Sequence, residues 1–283
     1  MTYEAFWKPL TAIYETGEAK AIARLVAEVR CGLSLADLMV GKELTEVEGI
    51  HKRLLAGEPV QYVLGQAEFC GRLFHVGPGV LIPRPETEEL CRWVMDEGLK
   101  VEGGGWKVEG GRRILDIGTG SGCIAITLAA ELPEAEVEAW DISDDALRIA
   151  QENANNLCIK VKFEKQDILN TPPSLWRGTG GGFSLIISNP PYICENESED
   201  MKPWVLDHEP KEALFVPDSD PLLFYRHIAN YALATLEDEG RLYFEINPCY
   251  CKELELLLAD MGFKDIQVRK DQFDKQRFIR ACK

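Results

Sequence analysis

Asn189-Pro190-Pro191-Tyr192 follows directly on the apolar run Leu185-Ile186-Ile187-Ser188, and its residue types have a definite chemical capacity. Two consecutive prolines fix φ, supply no N–H and hold the residue before them extended, so a strand ends there with carbonyls free to accept. The Asn189 side-chain oxygen and the Pro190 carbonyl can together hold both hydrogens of an NH2 group, the arrangement needed to aim a planar nitrogen at an electrophile. That chemistry is N-methylation. Asn-Pro and Pro-Pro are also common strand-ending turn formers, and the four residues alone fit that role equally well.

A second motif stands upstream. Arg113-Ile114-Leu115-Asp116-Ile117 reads as a short strand, Gly118-Thr119-Gly120-Ser121-Gly122 as a bend, and Cys123-Ile124-Ala125-Ile126 as the start of a helix. The glycines let a ligand approach the backbone, and the helix start offers unpaired N–H groups. Val137-Glu138-Ala139-Trp140-Asp141 is a further strand ending in a carboxylate, nineteen residues past Gly122, where it can accept from both hydroxyls of a ribose. Nicotinamide dehydrogenases share this general pattern. Two details favour a methyl donor: the spacing is Gly-x-Gly-x-Gly, and Asp116 would repel a pyrophosphate while suiting the cationic end of S-adenosylmethionine, directly or through water.

Taken together, Asp116 to Gly122 and Asn189 to Tyr192 resemble a class I S-adenosylmethionine-dependent methyltransferase. Within that group the chain is most similar to the peptide chain release factor glutamine methyltransferases, the HemK/PrmC family. The segments Glu58-Pro59-Val60-Gln61-Tyr62-Val63-Leu64-Gly65, Glu68-Phe69-Cys70-Gly71, Val80-Leu81-Ile82-Pro83-Arg84-Pro85-Glu86-Thr87-Glu88 and Glu209-Pro210-Lys211-Glu212-Ala213-Leu214 carry the same resemblance in family order. One departure is that no glycine follows Glu245 in Ile246-Asn247-Pro248-Cys249.

The resemblance implies an α/β fold: a Rossmann-like class I methyltransferase sheet, mostly parallel and seven-stranded, with a small N-terminal helical domain and a β-hairpin connector. It implies S-adenosylmethionine as cofactor, no metal, and transfer of a methyl group to the side-chain N5 of the glutamine in the Gly-Gly-Gln loop of translation release factors. Gly118 to Gly122, including Thr119, Gly120 and Ser121, would line the methionine part, Asp141 the ribose, and Asp167-Ile168 the adenine. Asn189, Pro190, Pro191 and Tyr192 would meet the substrate, with Tyr192 packing on the planar amide or, in the plainer alternative, lying under the loop as a core aromatic. Phe69, Pro83, Arg84 and Glu86 would belong to a roof over the pocket. Other uses of the same motifs are methylation of a ribosomal-protein glutamine or of a nucleic acid base. An NAD-dependent oxidoreductase or a catalytically silent binding protein is the reading outside methyl transfer.

The chain has 283 residues and a formal charge of −16. A polyanion-binding protein usually carries a basic surface, so direct nucleic acid binding is not expected, whereas a basic protein partner suits this charge. No apolar run approaches membrane-spanning length, and the start Met1-Thr2-Tyr3-Glu4-Ala5-Phe6-Trp7-Lys8 has no basic-then-apolar pattern, so a cytoplasmic location is expected. Nine scattered cysteines make no disulfide framework and are expected to be mostly reduced core residues; Cys249 and Cys251, the one close pair, lack further ligands for zinc.

These residues need elements to position them. Residues 1–65 show helical spacing at Ile22, Leu25, Val26 and Val29 and at Val47, Ile50, Leu54 and Leu55, which predicts a small helical bundle with Trp7, Tyr14 and Leu25 in its core; recognition of the substrate protein is the role expected of it. Residues 66–84 read as a hairpin connector and 85–283 as the methyltransferase domain. In the latter, strands at about 113–117, 136–140, 161–165 and 184–188 alternate with helices at about 122–132 and 143–156, which predicts a doubly wound parallel sheet. A helix at about 220–236, a strand at 241–246, a helix at about 251–261 and strands near 263–269 and 276–281 complete it. Asp116, Asp141, Asp167 and Asn189 all fall at or just past strand ends, where such sheets bind ligands. The acidic run 195–200 reads as a solvated loop or a mobile lid, and the glycine-rich runs 103–105 and 178–182 as connectors.

Overall fold

The computed structural model describes residues 1–99, 112–171 and 182–283; the glycine-rich runs read at 103–105 and 178–182 lie outside them, apart from Gly182. Five short helices, α1 (Tyr3–Leu10), α2 (Thr16–Cys31), α3 (Leu35–Met39), α4 (Glu48–Leu55) and α5 (Val60–Leu64), occupy the first 65 residues. Their stops are local: Gly32 and Gly65 end α2 and α5 in the left-handed conformation, and Ser34 and Asp37 form a capping box on α3. The face that α2 buries is Ala19, Ile22, Ala23, Val26 and Ala27. Leu25, expected in the core, is 37 % exposed because it stands on the flank of that small-residue stripe. Leu55 is likewise exposed, Tyr14 is buried, and Trp7 is half-buried with Lys20 Nζ 4.7 Å from its ring centre.

A hairpin of β1 (Gln66–Phe69) and β2 (Arg72–His75) leads to α6 (Pro85–Leu99). The chain then runs β3 (Arg112–Ile117), α7 (Cys123–Glu131), β4 (Ala135–Asp141), α8 (Asp144–Leu157), β5 (Lys162–Lys165) and β6 (Phe183–Ser188). Next come a two-residue strand β7 (Ile193–Cys194), α9 (Pro203–His208) and β8 (Phe215–Val216). The remainder is α10 (Leu223–Thr235), β9 (Leu236–Glu245), α11 (Cys251–Asp260), β10 (Lys264–Lys270) and β11 (Gln276–Cys282).

The central sheet has seven strands in the order β10-β11-β9-β6-β3-β4-β5. Strands β5, β4, β3, β6 and β9 pair in parallel, and β11 runs antiparallel to both its neighbours. Side chains alternate across the sheet, and both faces are covered. Leu115, Ile186, Leu242 and Phe244 meet α10 and α11 on one side, while Ile114, Leu185, Ile187 and Tyr243 meet α6 and α7 on the other. β9 begins five residues before the expected 241, because a bulge with Glu239 at φ 64° lets Leu236 pair with Phe183 before Arg241 takes up the register with Leu185.

Of the nine cysteines, all free, four are buried and Cys158 and Cys249 are exposed, so the expectation that most are core residues fails at about half of them. Cys158 closes α8 in a left-handed conformation that brings it to the surface. Residues 195–200 form a 3₁₀ turn instead of a loose loop. Glu197 pins it by accepting from the Cys194 N–H at 3.0 Å and from Asn247 Nδ2. Asn247, in the segment without the glycine, also donates to the Tyr192 carbonyl and caps the following turn at Cys249. Among the described residues no helix is long and apolar enough to cross a membrane.

Candidate active site

Strand order reverses between β3 and β6, and a cavity of about 470 Å³ opens beyond the carboxyl ends of β3, β4, β5 and β6. Gly118, Thr119, Gly120 and Ser121 form one wall, Trp140, Asp141 and Ile142 the next, and Gln166, Asp167 and Ile168 the far end. Asn189 and Pro191 stand at the other side. The connector supplies the roof through Val80, Leu81, Pro83 and Arg84, with Thr87 of α6 behind it and Phe224 and Ile228 of α10 opposite.

The glycine loop holds its shape by three left-handed residues, Gly118 at φ 77°, Gly120 at 55° and Gly122 at 80°. Added Cβ atoms would meet nothing within 4 Å at Gly118 and Gly120, whereas at Gly122 one would stand 2.9 Å from Ile126 Cδ1 and 3.1 Å from Ala150 Cβ. Two of the glycines therefore shape the loop, and the third lets α7 and α8 meet. Asn153 of α8 locks the arrangement by donating to the Ser121 and His75 carbonyls and accepting from the His75 N–H, so the loop and the hairpin are fixed by one amide.

Asp141 accepts from the Gly120 N–H and the Ser143 N–H, both at 2.9 Å, one on each oxygen. Each oxygen retains a lone pair for a further hydroxyl. Burial pushes the Asp141 carboxyl up and those backbone donors oppose the shift. Asp167 accepts from the Leu169 N–H at 2.9 Å and from Asn170 Nδ2 at 2.7 Å, and it closes the cavity beside the apolar Ile168. The volume, the two carboxylates at strand ends and the open backbone of the glycine loop fit a nucleoside-containing cofactor of the size of S-adenosylmethionine.

Five expected contact residues lie elsewhere. Asp116 is fully buried behind the loop, off the cavity wall, where one carboxylate oxygen takes the Thr119 hydroxyl at 2.6 Å and the other meets no donor at hydrogen-bonding geometry. Burial raises its pKa to about 7, against the pull of the Thr119 hydroxyl and the Ala125 N–H and with a small push from Asp141. Gly122 is likewise behind the wall. Phe69 is fully buried and stacks edge-on with Phe74 beneath α6, because β1 turns that face of the hairpin into the core. Glu86 is half-buried on the first turn of α6 and does not line the cavity. The Pro190 ring is buried, and Pro191, joined to it through the Pro190 carbonyl, is the proline on the cavity wall.

Tyr192 also departs from the cavity. It packs against the core on the α10 side, donates to Glu245 Oε1 at 3.1 Å, and has its phenol pushed well above the usual range by burial and by Glu245. The plainer reading of this tyrosine, a core aromatic under the loop, is where the structure places it.

Sequence reading missed the residues that hold Asn189. Its Nδ2 donates to Thr87 Oγ1 at 3.2 Å, and Thr87 Oγ1 in turn donates to Glu245 Oε2 at 2.7 Å. No donor among the described residues reaches Asn189 Oδ1. The only hint in the sequence was that Thr87 lies in a segment carrying the resemblance; Glu245 stood out only for the missing glycine after it. Glu209, in another such segment, is buried and accepts from the Ile82 N–H at 3.1 Å while pairing with Arg84, which fastens the roof.

Comparison with known proteins places this geometry. The Methyltransferase small domain family matches residues 101–214. The release factor glutamine methyltransferase of Bacteroides thetaiotaomicron is 44% identical over 279 residues, covering 96% of this chain and 95% of its own. The protein of the same name from Flavobacterium psychrophilum is 39% identical, covering 98% and 96%. Among solved structures, a T. Thermophilus 16S rRNA methyltransferase in complex with AdoMet and guanosine superposes with a TM-score of 0.52 at 21% identity, over 77% of this chain and 49% of that one, and shares the fold. With the cavity at the reversal of the sheet and full-length relatives of one description, the chain belongs to the release factor glutamine methyltransferase family.

Proposed function

We propose that the chain methylates the side-chain N5 of the glutamine in the Gly-Gly-Gln loop of translation release factors, using S-adenosylmethionine and working in the cytoplasm. The observation that carries the reading is Asn189. Its side chain stands on the cavity wall at the tip of β6, held through its NH2 by Thr87 and with Oδ1 unengaged among the described residues. The family membership supplies the substrate class.

When bound, S-adenosylmethionine supplies an electrophilic methyl on a positively charged sulfur. Asp141 would hold the ribose hydroxyls, Asp167 and Ile168 the adenine, and the Gly118 to Ser121 backbone the methionine part. An amide nitrogen is a poor nucleophile because its lone pair is delocalised into the carbonyl. Asn189 Oδ1 and the Pro190 carbonyl would each take one N–H of the substrate amide, which orients the NH2 and favours turning its lone pair out of conjugation with the carbonyl. Both acceptors strengthen their hold as positive charge grows on that nitrogen, so they act on the transition state more than on the bound substrate. The apolar walls contributed by Pro83, Ile168 and Phe224 exclude water from the reacting amide.

Glu245, which reaches the cavity only through Thr87, is no general base in this scheme. After transfer the surplus proton passes to water, and the methyl donor would depart as S-adenosylhomocysteine. A nucleic acid substrate is disfavoured by the formal charge of −16, which lacks the basic surface that phosphate contacts need. Incubation with methyl-labelled S-adenosylmethionine and a release factor, followed by mass mapping, should place one methyl group on the glutamine of the Gly-Gly-Gln loop. Label on another residue, or a calorimetric response to NAD with none to S-adenosylmethionine, would overturn the reading.

A further inference from the structure

An asparagine amide presents an oxygen and a nitrogen of nearly equal size, so packing alone does not decide which faces the cavity. At Asn189 hydrogen bonding makes the decision. The register Ser188↔Phe244 between β6 and β9 brings the next residue of each strand, Asn189 and Glu245, side by side, and Thr87 on the first turn of α6 stands between them. Glu245 is 2 % exposed, and a carboxylate can only accept. Its two oxygens take one hydroxyl each, Thr87 on Oε2 at 2.7 Å and Tyr192 on Oε1 at 3.1 Å. Thr87 has a single hydroxyl hydrogen, and it is committed to Glu245. Towards Asn189 the Thr87 oxygen can then only accept, and the group that satisfies it is the NH2. The reverse amide would set two acceptors against each other in a buried place, at the cost of an unmade hydrogen bond.

We propose that Thr87 and Glu245 are positioning residues that fix the polarity of the Asn189 amide, a one-way chain of donors from amide to hydroxyl to carboxylate that turns Oδ1 to the cavity. The inference rests on the reading that Oδ1 accepts from the substrate amide. Tyr192, the expected contact residue, belongs to this chain as the second donor to Glu245. Burial pushes the Glu245 carboxyl up; the Thr87 and Tyr192 hydroxyls and Arg277 on β11 favour the carboxylate against it, and Glu86 opposes them.

The test is a double-mutant cycle on the full chain, read by single-turnover methylation of a release factor and by S-adenosylmethionine affinity. Thr87→Val keeps the shape and removes the hydroxyl; it should slow methyl transfer by about tenfold or more, with cofactor affinity within about threefold of wild type. Thr87→Ser restores the hydroxyl and should recover most of the rate. In an Asn189→Ala background Thr87→Val should cause no further loss, because the residue it positions is gone. Glu245→Gln carries an NH2 that forces one of the two hydroxyls to turn round, and it should be slow and equally non-additive with Asn189→Ala; it serves in place of Thr87→Val if that variant does not fold. Near-wild-type transfer in these variants, failure of Thr87→Ser to recover, or the same fold loss with and without Asn189 would assign the pair a structural role only. Near-wild-type transfer by Asn189→Ala alone would instead sink the acceptor reading on which the proposal stands.

Discussion

Asn189 and Asp116 are both polar groups at the end of a β-strand, and the structure uses them in opposite ways. Asn189 is turned outward with a free acceptor, so its loss should show in rate. Asn189→Asp and Asn189→Ala are each expected to slow single-turnover methylation by about 100-fold, the scale of removing one transition-state hydrogen-bonding group, while cofactor affinity stays close to wild type. Quenched-flow measurement beside calorimetry checks both halves. For aspartate the loss arises because two acceptors then face the Thr87 oxygen and a carboxylate stabilises the charged ground state of the sulfonium. Asp116 is turned inward and answers to pH. Its carboxyl has a pKa of about 7 in the fold against 3.8 in the open chain. The folded state therefore binds the proton more tightly, and stability falls as pH rises from 3.8 to about 7, then levels off. Asp116→Asn cannot titrate, so denaturant unfolding at about pH 5 and about pH 8 should show a smaller loss of stability in the variant than in the wild type. An equal loss in both would dismiss Asp116 as the source.

At the scale of elements, the loop between β3 and α7 depends on Gly122 for helix packing more than for ligand contact. A methyl group there would stand 2.9 Å from Ile126 Cδ1 with the backbone at φ 80°, so Gly122→Ala should destabilise the fold by about 2 to 4 kcal/mol. Urea denaturation measures it, and an unchanged midpoint would mean that α7 and α8 can separate freely. The alternation of apolar strands and amphipathic helices made β3 to β6 and their helices legible, because burial on both sheet faces leaves a plain pattern in Ile114-Leu115 and Leu185-Ile186-Ile187. Glycine and proline punctuation made the loop and the tip at Asn189 legible as well. What stayed hidden was tertiary. Nothing local to Thr87 or Glu245 announces that they meet, since one opens α6 and the other closes β9, 158 residues later. The same holds for Glu209 and Arg84. Phe69, and Tyr192 in one of its two readings, were expected at the cavity, because a motif fixes which residues stand in a segment but not which side of it faces the cavity; the pleat of β1 turns Phe69 inward and the Glu245 carboxylate, accepting from the Tyr192 hydroxyl, draws that ring into the core.

For the molecule as a whole, the N-terminal bundle and the site are joined by more than the chain. Trp204 of α9 stacks on Tyr14 with ring centres 5.3 Å apart, and α9 runs directly into Glu209, which holds the roof. The bundle keeps Leu35, Met39 and Val40 at 51 %, 82 % and 77 % exposure on and just after α3. The role expected of the bundle, recognition of the substrate protein, can be tested on this patch. Leu35→Asp combined with Met39→Asp should raise the KM for the whole release factor by about tenfold and leave methylation of a short Gly-Gly-Gln peptide, and the unfolding midpoint, unchanged. Equal KM for the whole factor in variant and wild type would remove the patch from recognition.

Strand β11 lies between β9 and β10, although both neighbours precede it in the chain. A nascent chain that has emerged only through β10 thus carries a gap inside its sheet, bounded by unpaired edges of β9 and β10, and neither edge can be closed by the other. Arg280 of β11 also reaches back to Glu97 of α6 at 2.9 Å, so a strand made after both its neighbours is the one that staples an earlier helix to the sheet. Synthesis order and spatial order are opposed here. The sheet becomes continuous only once Gln276–Cys282 has emerged and entered between strands already made, so its seam is closed from inside and not by growth at an edge.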